Sequence, residues 1–180
     1  MRRWLILDRD GVINEDSEAF IRSPEELVPI PGSAEAIGRL CQAGWIVTVA
    51  TNQSGLARGL FDQATLARIH ERLEQIIGQS GGRIERLVYC PHGPDDACAC
   101  RKPRPGLYQQ LACELGRSLD RTPVIGDSPR DLEAAVAVGA QPILVRTGKG
   151  DQTYLNGRYP AGTRVYRDLA TAANALLNER

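Results

Sequence analysis

The chain has 180 residues, enough for one domain with a sizeable core and too few for a comfortable second one. Its 22 Lys and Arg residues balance 22 Asp and Glu residues, and no run of like charge offers a footprint for nucleic acid or anionic lipid. The early charged residues leave no room for a signal-peptide apolar stretch, and no later run is long enough to span a bilayer, so a cytoplasmic protein acting on a small molecule is expected.

The first apolar run, residues 5–7, ends against Asp8, Asp10 and the turn residue Gly11. Residues 31–43 read as a helix stopped by Gly44, and residues 45–50 as the second strand. The clearest helix spans residues 62–77: Leu66, Ile69, Leu73, Ile76 and Ile77 share one face, Asp62 offers an N-cap, and the Gly-rich stretch 78–82 is a stop. Residues 84–89 give a third strand and residues 105–115 a helix ending before Gly116. A strand at 123–125, a helix at 128–138 closed by Gly139, and a strand at 142–145 follow. The weakly patterned stretch 148–162 is expected as a loop before a closing strand around Val165 and Tyr166 and a last helix. Strands alternating with helices predict a single Rossmann-like domain over residues 1–180, a three-layer α/β/α sandwich on a mostly parallel sheet. Its site should lie beyond the carboxyl ends of the strands.

Polar motifs follow those strand ends. If the first strand keeps its period of two, Asp8 and Asp10 leave it on one side and Arg9 turns the other way. One carboxylate can then attack phosphorus while the second protonates the leaving oxygen, although Asp and Gly are also ordinary turn residues. Thr51, beside the backbone N–H groups of Asn52 and Gln53, can donate to phosphoryl oxygens, and Lys102 can supply a point charge. Asp127 suits a hard cation such as Mg²⁺ held jointly with Asp8, and Asp131, a helical turn further on, reads as an outer support. Singly, Thr51 is also a strand-end residue, Lys102 a solvated lysine and Asp127 a helix N-cap. Their succession at strand ends favours the joint reading.

Cys90-Pro91-His92 and Cys98-Ala99-Cys100 form two chelating pairs, three thiolates and an imidazole, suited to tetrahedral Zn²⁺. Four protein ligands leave no open position, so the expected role is structural. Reduced thiols in a mobile loop are the alternative. Arg101 and Lys102 follow Cys100 directly, so a pinned loop would aim both at the reacting phosphate and its substrate. Cys41 and Cys113 sit in helical patterns as small buried hydrophobes, and His70 reads as a core-edge side chain.

The segments DRDGVIN, TNQSGLARG, CRKPRPG and GDSPRDLEAA resemble, in order and across nearly the whole chain, the four motifs of the haloacid dehalogenase-like (HAD) phosphohydrolases. More closely they resemble that family's heptose bisphosphate phosphatase branch, whose relatives include histidinol-phosphate phosphatases. The resemblance implies that Asp8 forms a phosphoaspartate and that Asp10 acts as general acid and base, its backbone carbonyl also facing Mg²⁺. It further implies that Thr51 and Lys102 stabilise the transferring group and that Asp127 completes the metal site.

Only a helix and a strand fit between Asp10 and Thr51, so no cap domain is expected, and specificity falls to loops 16–21, 52–59 and 90–104. A sugar bisphosphate that loses its 7-phosphate needs a cation for the phosphate it keeps, for which Arg101 leads and Arg58, Arg104, Arg146 and Lys149 follow. Asp16, Ser17 and Glu18 are candidates for sugar hydroxyls, although the stretch departs from the DHGY-like form of the heptose enzymes. Asn52, Gln53, Ser54 and Ser128 complete the candidate substrate contacts. Histidinol-phosphate hydrolysis is the alternative chemistry. A zinc-ribbon-like nucleic-acid-binding module is the non-enzymatic alternative, against which the balanced charge and the Asp8/Asp10 pair both weigh. A monomer is expected.

Overall fold

In the computed structural model, which describes residues 3–179, six strands form one parallel sheet in the order β3-β2-β1-β4-β5-β6. In chain order the elements are β1 (Trp4–Leu7), α1 (Ser33–Gln42), β2 (Ile46–Asn52), α2 (Gln63–Gln79), β3 (Arg86–Cys90) and α3 (Gly106–Leu115). They continue with β4 (Pro123–Gly126), α4 (Pro129–Val136), β5 (Gln141–Val145), α5 (Gly150–Leu155), β6 (Arg164–Tyr166) and α6 (Leu169–Asn178). A 3-10 turn, Pro24–Glu26, lies between β1 and α1. No described helix is long and apolar enough to cross a membrane.

Alternation along β1 builds two cores. Leu5 and Leu7 pack with Ile37 and Leu40 of α1, Ile69 and Leu73 of α2 and Leu176 of α6. Trp4 and Ile6 face the other way, onto Leu107 and Leu111 of α3 and Ala134 and Ala135 of α4. Residues facing both layers make β1 a continuous apolar run, as a central parallel strand requires. The polar Thr48 beside it is satisfied: its hydroxyl accepts from Trp4 Nε1 and donates to the Leu5 carbonyl, both at 3.0 Å.

The sheet grows outward in opposite directions from β1 and β4, and in such sheets a crevice opens at the carboxyl ends where the order reverses. Asp8 follows β1 and Asp127 follows β4, so the topology alone sets the two carboxylates at that crevice. The backbone N–H of Asp8 donates to the Ile125 carbonyl at 2.9 Å, tying the two strand ends together.

Three expectations change. Residues 150–155 of the expected loop form α5, because Gly150 packs against the Val145 carbonyl and Thr153 donates to the Asp127 carbonyl at 2.9 Å. Cys113 lies exposed on α3 rather than buried, whereas Cys41 is half-buried against the Arg83 backbone. Arg9 does not turn away: β1 stops at Leu7, strand alternation stops with it, and the Arg9 guanidinium pairs with Asp10 at 2.9 Å. Between Asp10 and Thr51 the chain supplies only the 3-10 turn, α1 and β2, so no cap interrupts the fold there.

Candidate active site

A cavity of about 290 Å³ opens at the crevice, and Asp8, Asp10, Thr51, Lys102 and Asp127 all line it. Lys102 is its buried cation. Its Nζ donates to the Ala50 carbonyl at 2.8 Å and sits 3.0 Å from Asp8 Oδ1 and 2.6 Å from Asp131 Oδ1. The flanking carboxylates outweigh burial and keep this ammonium charged far above the ordinary lysine range. Asn52 holds the Lys102 backbone by a reciprocal pair of 3.1 Å hydrogen bonds.

Asp8 and Asp10 are set apart by their surroundings. Burial pushes Asp8 up to about 7; Lys102 opposes the rise, and the charges of Asp131 and Asp10 add to it. Burial also acts to raise Asp10, but the Arg9 guanidinium and hydrogen bonds from Asn14 and Gln53 outweigh it, so its carboxyl stays below the usual range. Asp127 is raised well above that range by burial and by Asp131 and Asp8. Its Oδ2 accepts from the Lys149 backbone N–H at 2.8 Å.

Ligand oxygens of Asp8, Asp127 and Asp131 lie within 4.8 Å of one another. Asp8 and Asp127, both pushed up by burial and by neighbouring carboxylates, form a donor pair that fits a hard divalent cation, whereas the oxygens of Asp131 are taken by Lys102 and Ser128. Gly11 makes the crowding feasible. Its φ is +80°, and a Cβ there would fall 2.0 Å from Asp127 Oδ2. Asp131 is nearer the centre than its sequence position implied, because α4 starts at once after Ser128. Its Oδ2 accepts from the Ser128 N–H at 3.1 Å and from the Ser128 hydroxyl at 2.8 Å.

Several expected substrate contacts line the cavity while committing their polar groups to its interior. Gln53 Nε2 donates to Asp10 Oδ2 and to Thr51 Oγ1, each at 3.0 Å, and the Ser128 hydroxyl is taken by Asp131. Asp16 pairs with Lys149 Nζ at 3.0 Å, and Ser17, Glu18 and Ser54 line the same cavity. Arg58 and Arg101 are there too. Arg104 and Arg146 are not: Arg104 donates to the Cys98 carbonyl, and Arg146 pairs with Asp151 at 2.7 Å.

Sequence reasoning missed Arg130, which stands among the lining residues two positions into α4. Its place three residues after Asp127 was the available signal. It is close enough to Arg101 that the two guanidinium charges, after burial, help lower Arg101 from its ordinary value.

Beside the cavity, Cys90, His92, Cys98 and Cys100 place their ligand atoms within 4.8 Å of one another. Cys90 Sγ lies 3.7 Å from Cys98 Sγ and 3.2 Å from Cys100 Sγ, while His92 Nδ1 is 3.5 Å from Cys90 Sγ and 3.3 Å from Cys100 Sγ. Tetrahedral Zn²⁺ with bonds of about 2.3 Å sets sulfurs about 3.8 Å apart, so this cluster fits the ion after small adjustments. Arg101 Nη1 donates to the His92 carbonyl at 3.2 Å, linking the cluster to the cavity.

A parallel sheet with Asp8 and Asp10 after β1, Thr51 at the end of β2, Lys102 ahead of α3 and Asp127 after β4 defines a HAD-like phosphatase. Residues 99–172 match the HAD-hydrolase-like family model, and residues 10–129 match the model described as polynucleotide kinase 3 phosphatase. Within that class the chain belongs to the D-glycero-D-manno-heptose 1,7-bisphosphate 7-phosphatase family. It is 54% identical to the D-glycero-beta-D-manno-heptose-1,7-bisphosphate 7-phosphatase of Bordetella bronchiseptica, over 98% of this chain and 99% of the relative. The enzyme of the same name from Pseudomonas aeruginosa is also 54% identical, over 98% of each chain. The crystal structure of D,D-heptose 1,7-bisphosphate phosphatase from B. bronchiseptica, complexed with magnesium and phosphate, superposes with a TM-score of 0.97 at 53% identity and 99% coverage of both chains.

Proposed function

We propose that the protein is a Mg²⁺-dependent phosphatase that removes the 7-phosphate of D-glycero-D-manno-heptose 1,7-bisphosphate and leaves the 1-phosphate, as a step toward a nucleotide-activated heptose. The observation that carries this reading is one cavity joining the Asp8–Lys102 pair to Arg58, Arg101 and Arg130. Such a cavity can react with one phosphate and hold another. Identity to the named 7-phosphatases over nearly the full chain supports the choice of sugar.

An Asp8 carboxylate oxygen attacks the 7-phosphoryl group as the bond to the sugar oxygen breaks, and Asp10 gives that oxygen its proton. Asp10 then takes a proton from the water that attacks the phosphoaspartate, which frees phosphate and restores Asp8. Lys102 neutralises charge gathering on the phosphoryl oxygens. Thr51 Oγ1 already accepts from Gln53, so its own hydroxyl proton is available to a phosphoryl oxygen. Mg²⁺ held by Asp8, Asp127 and the Asp10 backbone carbonyl would supply further positive charge at those oxygens. Zn²⁺ held by Cys90, His92, Cys98 and Cys100 would fix the loop that carries Arg101 and Lys102, with no position open for catalysis. The arginines hold the phosphate that stays, and Asp16, Ser17, Glu18 and Ser54 face the sugar.

The deciding measurement is kcat/KM with Mg²⁺ on heptose 1,7-bisphosphate, histidinol phosphate and fructose 1,6-bisphosphate. The heptose substrate is expected to lead; a preference for histidinol phosphate overturns the assignment. Asp8→Asn is expected to abolish phosphate release with the circular dichroism spectrum unchanged.

A further inference from the structure

Arg9 is fully buried, and none of the chemistry above uses its side chain. Its guanidinium forms a fork on Asp10, Nε donating to Oδ1 and Nη2 to Oδ2, each at 3.0 Å. The remaining nitrogen, Nη1, donates to His70 Nε2 at 3.2 Å. A guanidinium can only donate, so His70 Nε2 must carry the lone pair, which makes the imidazole the neutral Nδ1–H tautomer. Burial, and then the Arg9 charge, push His70 down to about 3, in keeping with an acceptor. A connected series of contacts therefore runs from α2 through Arg9 to Asp10.

Asp10 is held from every side. Oδ1 also accepts from Asn14 Nδ2 at 2.9 Å, and Oδ2 from Gln53 Nε2 at 3.0 Å, so each oxygen takes two donors. Asn14 leaves its own Oδ1 buried without a hydrogen-bond partner in order to present its amide. The cost of such an orphan is comparable to the gain of a hydrogen bond to a charged group, and the reversed amide would set Oδ1 against a carboxylate. The whole arrangement favours one orientation of the Asp10 carboxyl.

We propose that Arg9 and His70 are positioning residues for the reaction: His70 holds the Arg9 fork, and the fork fixes where the Asp10 carboxyl stands, while the neutral Asn14 or Gln53 amide gives way when an Asp10 oxygen takes up the proton it passes to the leaving oxygen. This rests on the reading of Asp10 as the general acid. Acid catalysis demands alignment as well as hydrogen-bond reach, and a bidentate fork fixes the alignment of the carboxyl plane. A lysine in its place supplies the charge without the fork.

Leaving-group dependence of kcat/KM tests this, because that quantity reports steps through phosphoenzyme formation. A sugar alkoxide needs the proton from Asp10; p-nitrophenolate departs without it. Since general acid–base catalysis contributes roughly 10²–10⁴-fold, Arg9→Lys is expected to lower kcat/KM about 100-fold on the heptose bisphosphate and less than about 3-fold on p-nitrophenyl phosphate. His70→Leu removes the acceptor and is expected to cost about 10-fold on the bisphosphate alone, while His70→Gln, whose amide oxygen can accept from Arg9, stays within about 2-fold of the parent. Equal losses on both substrates, or none on either, overturn the proposal. If Arg9→Lys fails to fold, the His70 pair decides by the same criterion. Asp10→Asn is measured alongside: equal loss on both substrates overturns the acid assignment and this proposal with it. Selective loss there, without selectivity in the Arg9 and His70 variants, overturns the positioning proposal alone.

Discussion

Lys102 Nζ lies 2.6 Å from Asp131 Oδ1, closer than its 3.0 Å approach to Asp8. Asp131 thus anchors the cation that lines the cavity beside Asp8, and Ser128 anchors Asp131 in turn. Both members of the pair are buried, and Asp131→Asn leaves Lys102 with the Asp8 charge alone, so the loss is that of a hydrogen bond between charged groups, about 1.5–3 kcal/mol, rather than of a stranded ion. Asp131→Asn is expected to lower stability by about that much in denaturant unfolding and to lower kcat more than it raises KM. A stable variant with normal kcat would show that Lys102 needs only Asp8.

Arg130 is expected to act on the phosphate that is kept rather than the one that leaves. Hydrogen bonds to a charged group contribute about 1.5–3 kcal/mol, so Arg130→Ala should raise KM for the bisphosphate roughly 10–100-fold. Hydrolysis of a monophosphate should change little. Steady-state kinetics on the two substrates separates this from general damage, which would lower both.

Zinc loss should reach the active site through the loop. Burial pushes the Cys90 thiol up to about 12 and also raises Cys100, so binding the ion must displace their protons and should weaken as pH falls. Cys98→Ala is expected to purify with well under one zinc per chain by elemental analysis. Supporting groups around metal sites are worth roughly 10–100-fold, and a loss of kcat/KM in that range is expected as Arg101 and Lys102 lose their fixed loop. Zinc-free protein with normal turnover would leave the loop without that role.

His70 predicts a pH dependence whose sign follows from its buried, neutral state. Its folded value of about 3 lies below the ordinary 6.5, so between those values the unfolded chain binds the extra proton. Stability from this residue is therefore complete above about pH 6.5 and declines as pH falls toward 3, by at most about 1.4 kcal/mol per pH unit. His70→Gln cannot titrate. In urea unfolding at pH 7, 5 and 4, the gap between the variant and the parent should shift in the variant's favour as the pH drops; a constant gap would mean that His70 takes up its proton at the same pH in the fold as in the unfolded chain.

Much of the site was legible because local patterns carry it. Residues 123–125 and 142–145 end strands on β-branched and aliphatic side chains, and the polar group that follows each buried strand must emerge at the same edge of a parallel sheet. That is why Asp8, Thr51 and Asp127 could be named, and why two closely spaced Cys/His pairs could be read as a single ligand set. Distances along the chain carry less about which side chains meet. Asp131 looked like an outer support until the turn of α4 brought it onto Lys102, 29 positions upstream but 2.6 Å away. Arg130 was overlooked because its one local signal, a place three residues after Asp127, does not separate a cavity-lining guanidinium from a solvent-facing one, and α5 was read as loop because its stability comes from contacts with β5 and Asp127 rather than from an apolar face.

The sequence by itself determined the alternation of strands and helices, the order of the reactive groups and the residue types able to transfer a phosphoryl group, since periodicity and side-chain chemistry are local properties. Tertiary structure decided the partnerships: the Arg9 fork on Asp10, the His70 contact behind it, the Asp131 anchor on Lys102 and the third arginine in the cavity. Those depend on where separate strand ends converge, and burial at that convergence strengthens each pairing beyond what the same residues would show in water.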